Sequence, residues 1–196
     1  MQGDVSRTEA WNLLCEWTES DSLRRHMLAV EAAMRAYAPR FGGDVELWGL
    51  TGLLHDLDYE RYPDPADGHP RMAMRELAQR GYPDELVRAV ASHADYMDVP
   101  RQTDMERTLY AVDELSGFVL ACAYVRPEGL QGMTAKSVKK KMKQPSFAAA
   151  VGREELRQGA AELGVEFDEH LETVIAALSD HGDVLLPASP SPADGA

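Results

Sequence analysis

Leu50-Thr51-Gly52-Leu53-Leu54-His55-Asp56 ends an apolar run on an imidazole beside a carboxylate. Half-burying that pair without a partner is costly, and a divalent metal ion suits both groups. Working outward, the chain supplies further candidate ligands in an ordered series: His26 upstream, then His69, His93 and Asp113 downstream. Four of the six histidines fall into that series, which points to a metal site.

The flanking segments carry helical periodicity. Leu23, Met27, Val30, Met34 and Tyr37 recur at spacings of three and four, and His26 falls on their side of the helix. Leu86, Ala89, Val90 and His93 share a face of a second pattern, and Leu109, Asp113, Ser116 and Leu120 share one of a third. Two histidines and an aspartate thus stand where the pattern calls for apolar side chains. An inward carboxylate must find a charge partner.

Helices are expected over about 7–18, 21–38, 44–56, 70–80, 84–94, 103–123, 134–143, 152–163 and 167–180. No convincing alternating run supports a strand, so the expected class is all-α. Pro70 suits a first helical position, which would leave His69 as the cap. Gly81 and Pro83 separate two helices, and Pro100 closes a loop. His170 and His181 lack comparable companions and read as a surface and a helix-end residue. The face Leu171, Val174, Ile175, Leu178 packs either internally or across a dimer. Residues 187–196, rich in Pro and Ser, are expected to be a disordered tail after a single domain over 1–186.

At 196 residues, 44% hydrophobic and 27% charged, the chain has the composition of one globular domain. It holds no apolar run long enough for a membrane span and no signal-like start. Cys15 and Cys122 have no CxxC spacing and read as core side chains in a reducing cytoplasm. A net charge of −13 argues against general nucleic-acid binding. All five lysines, however, lie between Lys136 and Lys143. That strip is either a solvated or salt-bridged helix face or a cationic wall for an anionic substrate.

His26, His55-Asp56 and Asp113 together resemble the motif of the HD-domain superfamily of metal-dependent phosphohydrolases, an all-α helical bundle. Leu53-Leu54-His55-Asp56-Leu57-Asp58-Tyr59-Glu60 carries the signature. His69-Pro70, Gly81-Tyr82-Pro83 and Ser92-His93-Ala94-Asp95-Tyr96 are similar to the branch with two metal ions. Tyr110-Ala111-Val112-Asp113-Glu114-Leu115-Ser116-Gly117 and Val125-Arg126-Pro127 extend the likeness to small bacterial HDIG-type hydrolases. Leu57-Asp58 stands where the HDIG name has Ile-Gly. The core ligands then fall within 20–125, with C-terminal helices over 134–181.

The resemblance implies one or two divalent ions (Mn, Fe, Co, Ni or Mg). His26, His55, Asp56 and Asp113 would hold the first, and His69 and His93 the second. Asp56 would bridge them as the catalytic carboxylate, with a metal-activated water as nucleophile. The implied substrate is a small phosphate ester such as a nucleotide, with Arg126, Lys140 and Lys141 as phosphate-binding candidates. Asp58 and Asp95 are candidate orienting groups, and Glu114 a rim contact. Two other readings stay open: an HD-type diiron oxygenase, which uses the same six ligands, and a non-catalytic nucleotide-binding regulatory module.

Overall fold

The computed structural model describes residues 6–186; the tail expected at 187–196 lies outside them. The expected helices are present as α1 (Arg7–Trp17), α2 (Asp21–Tyr37), α3 (Val45–Leu54), α4 (Arg71–Gln79), α5 (Asp84–Ser92), α6 (Asp104–Tyr124), α7 (Ala135–Met142), α8 (Arg153–Leu163) and α9 (Phe167–Ser179). A short α10 (Gly182–Leu185) follows. Among the described residues there is no strand, and no helix is long and apolar enough to cross a membrane.

Local chemistry sets the helix starts. The Ser6 and Thr103 side chains accept third-residue amides while Glu9 and Glu106 reach back to the cap amides. Ser20 caps α2 through the Leu23 amide. Two ends fall earlier than periodicity implies. α3 stops at Leu54 and α5 at Ser92, which leaves His55 and His93 as C-cap residues.

His69 is not the cap of α4. Pro70 holds that position, with ψ of 13°. The third amide of α4, at Ala73, instead donates to the Asp58 carboxylate at 2.8 Å. A capping oxygen from elsewhere in the chain leaves the His69 ring free for another task.

α2 is the central strut, packed on α3, α6 and α9, while α8 covers α6. Two apolar clusters result. The larger joins Met34, Tyr37, Leu109, Phe118, Leu171 and Val174, and the smaller joins Leu13, Leu14, Leu50, Leu53, Leu77 and Leu86. Neighbouring turns of α2 serve both, with Met27 in the smaller and Val30 in the larger. His26 therefore stands at the seam. The face Leu171, Val174, Ile175, Leu178 packs inside this chain.

The surface reading of His170 is overturned. Its ring is fully buried, 2.6 Å from the Tyr37 hydroxyl through Nδ1 and 3.0 Å from the Ala111 carbonyl through Nε2. Sequence spacing hid it because its two partners lie on other helices. Burial holds this imidazole below its ordinary pKa. A buried neutral histidine contributes its full stability above the unfolded value of about 6.5 and loses it as pH falls below that value. His170→Gln is expected to cost about 2 kcal/mol near neutral pH by urea melts. The gap from wild type should narrow as pH falls toward about 5. A gap that stays constant would mean the ring is not held neutral.

Candidate metal centre

Two of the histidines are placed by the same device. A helix leaves its last carbonyls without intrahelical partners. At the end of α3 the His55 ring satisfies the Gly52 carbonyl through Nδ1 at 2.8 Å, and at the end of α5 the His93 ring satisfies Val90 through Nδ1 at 2.6 Å. Donation from Nδ1 fixes the tautomer and leaves the Nε2 lone pair free as a ligand. The third ring is oriented by a carboxylate: His69 Nδ1 lies 2.8 Å from Asp58 Oδ1.

These Nε2 atoms converge on Asp56, whose two oxygens face different ways. Oδ2 is 3.6 Å from His55 Nε2 and 3.9 Å from His26 Nε2. Oδ1 is 3.4 Å from His69 Nε2 and 3.5 Å from His93 Nε2. Asp113 on α6 adds a second carboxylate, its Oδ1 at 3.0 Å from His26 Nε2 and 3.2 Å from His55 Nε2. His26, His55 and Asp56 each present a donor atom within 4.8 Å of the others, and so do Asp56, His69 and His93.

The donor set fits divalent ions. Two donors each about 2.1 Å from one ion stand roughly 3.0–3.4 Å apart at right to tetrahedral angles, close to the spacings around Asp56 and Asp113. Nitrogen and carboxylate donors without thiolate match borderline or hard ions. Electrostatics agree. Burial works against a charged His55 ring, yet Asp56 and Asp113 outweigh it and raise its pKa to about 10. Burial likewise opposes ionised Asp56 and Asp113, but the facing histidines hold both below the usual carboxylate range. A proton on the His55 ring balances the carboxylates where a bound cation would, so metal binding has to displace it.

The centre opens into a cleft of about 470 Å³. Tyr59, Tyr96 and Tyr110 supply aromatic walls, while Leu23 and Leu156 supply apolar ones. Glu114 and Glu155 stand at its rim. Glu114 is exposed on one side yet sits within the concavity, where burial and the Asp113 charge push its carboxyl up to about 7. Asp95 orients no histidine. It accepts from Arg101 at 2.8 Å and from the Tyr110 hydroxyl at 3.3 Å. Arg101 stacks 3.6 Å over Tyr110, donates to the Ser92 carbonyl and forks onto Glu162 of α8. That guanidinium thus ties the turn carrying His93 to α6 and α8. Sequence patterning missed it, since nothing local links Arg101 to Glu162.

Arg126, Lys140 and Lys141 do not line this cleft. Arg126 lies 13 residues beyond Asp113 and two past the end of α6, and the helix alone accounts for roughly 16 Å of that span at 1.5 Å per residue. Its Nε and Nη2 are used on the Gly129 and Gln131 carbonyls. The two lysines share a separate small cavity with it. The expectation that these three meet the substrate at the metal centre is corrected by that distance.

Residues 23–117 match the family described as HD domain. Those residues, just under half of the chain, are similar to an HD domain. The match spans every histidine and aspartate around Asp56, and the HD fold is that of a metal-dependent phosphohydrolase superfamily. Over 94 residues the chain is also 32% identical to Ribonuclease Y of Desulfotalea psychrophila, a match covering 47% of this chain and 18% of that protein. The chain thus spans less than a fifth of that relative's length. No solved structure matched the chain.

Within this segment Asp58 deserves its own test. It is fully buried, and among the described residues its side-chain partner is the His69 ring. Asp58→Asn is expected to lower affinity for the ion on the His69 side by about 10–100-fold, as for other partners of ligating histidines. Competition with a chromogenic chelator measures this. Unchanged affinity at both steps would show that His69 needs no orienting carboxylate.

Proposed function

We propose that this chain is a metal-dependent phosphohydrolase that removes a single phosphoryl group from a small ester, with nucleoside monophosphates as the leading substrate class. The observation that carries the reading is Asp56, with one oxygen facing the His26/His55 pair and the other facing the His69/His93 pair. His26, His55, Asp56 and Asp113 would hold one ion, and Asp56, His69 and His93 a second. When bound, such ions acidify a water to serve as nucleophile and neutralise charge on the phosphoryl oxygens.

The chain's own residues set the rest. Nδ1 contacts to Gly52, Val90 and Asp58 keep the rings from turning. The Glu114 carboxyl stands at the cleft mouth beside Asp113. Tyr59, Tyr96 and Tyr110 offer faces to a planar group. Among the described residues no lysine or arginine lines the cleft. Further phosphates of a di- or triphosphate would therefore meet Glu114 and Glu155 with no counter-charge. A cytoplasmic setting suits the free thiols Cys15 and Cys122.

The test is phosphate release by the metal-loaded full chain on nucleoside mono- and triphosphates and on non-nucleotide monoesters. Release is expected from monophosphates, with kcat/KM at least about tenfold lower on triphosphates, equivalent to about 1.4 kcal/mol. No release from any ester by protein shown to hold metal would overturn the hydrolase reading. An iron pair with oxygen consumption would favour the oxygenase.

A further inference from the structure

A second cavity of about 220 Å³ lies away from the metal centre, beside the C-terminal half of α7. Arg126, Lys140 and Lys141 line it, together with Cys122, Ser137 and Gln144, and no carboxylate does. That is unusual in a chain with a net charge of −13 and 33 acidic residues. The salt-bridged explanation of the lysine strip accounts for Lys139 alone, which meets Asp168 at 2.6 Å. Lys141 instead lies 4.9 Å over the Phe147 ring. Lys140 has no ion-pair partner among the described residues.

Arg126 is already rigid. Bonds from Nε and Nη2 to the Gly129 and Gln131 carbonyls, each 2.9 Å, hold its plane and leave Nη1 for another acceptor. A guanidinium fixed in this way loses little entropy on binding an anion. Lys140 and Lys141 add point charge to the same lining.

We propose that this cavity is a second anion site, independent of metal, that takes a small phosphoryl-bearing ligand as an effector rather than as substrate. Three cations on one lining suit two or three phosphoryl oxygens. The cavity is smaller than the roughly 300 Å³ at which pockets begin to enclose drug-sized ligands, which favours a phosphate or diphosphate group over an extended chain. Cys122 in its lining lies nine residues beyond Asp113 on α6, roughly 14 Å at 1.5 Å per residue, more than one phosphate or diphosphate group spans. The site stands whether or not the cleft is a hydrolase.

Calorimetric titration of the full chain with inorganic pyrophosphate and with inorganic phosphate tests it, with and without prior metal removal by a chelator. One saturable site is expected in both states. The Lys140→Gln/Lys141→Gln protein should bind at least tenfold more weakly while keeping the wild-type melting temperature and phosphoester hydrolysis. Three results would overturn the proposal: no saturable binding, affinity unmoved by the lysine changes, or binding that disappears with the metals. A single-stranded RNA oligomer that binds these lysines more tightly than pyrophosphate, with affinity rising with length, would also overturn it in favour of an extended polyanion surface.

Discussion

Asp56→Asn is expected to leave a folded protein that holds at most one metal ion and releases phosphate at least about a thousandfold more slowly. The substitution keeps the shape of the side chain and removes its charge and one of its two ligand oxygens. Those oxygens face separate imidazole pairs, at 3.6 and 3.9 Å on one side and 3.4 and 3.5 Å on the other. Among the described residues no other carboxylate reaches both pairs, so the loss is shared by the two positions. Several kcal/mol of charge stabilisation at the phosphoryl group disappear with the ions, and each 1.4 kcal/mol is about tenfold in rate. Metal content by mass spectrometry and phosphate release are read on the same preparation. A variant that keeps two ions and near wild-type turnover would remove Asp56 from the centre altogether.

Gly52→Val is expected to be the most damaging single change outside the centre. A Cβ at residue 52 would lie 2.8 Å from the Val30 carbonyl oxygen and 2.9 Å from the Glu31 nitrogen. Both obstacles are backbone of α2, the central helix, so neither can swing aside. The helices must separate, at a cost of about 3 kcal/mol or more. For a chain of this size that is a fall of about 10 °C in melting temperature. The same move displaces the Gly52 carbonyl that anchors His55 Nδ1 at 2.8 Å, so metal affinity should fall with stability. A melting temperature within about 1 °C of wild type would show that α2 and α3 do not approach so closely.

Gly52 shows where reading the sequence stops. Its place in the run Leu50–Leu54 marks a buried helix, but nothing in the run says that glycine is there because another backbone passes beside it. The same holds for Arg101, whose importance comes from Glu162 on α8. It holds for His170, whose partners Tyr37 and Ala111 lie far away in the chain.

The all-α class, the helices, and His26, His55, His69, His93 and Asp113 as companions of Asp56 are legible in the chain alone. Those features are local. Helical periodicity, caps and prolines act within a few residues, and a polar group breaking an apolar stripe announces itself by its own position. That Asp56 faces two imidazole pairs, and that Asp58 both orients His69 and caps α4, comes from packing between distant segments. That packing also placed Arg126 and the lysines at a different cavity. Those facts depend on which helices lie side by side and how far apart their ends fall. Spacing along one chain does not encode a distance between two helices, and charge at short range acts through that distance.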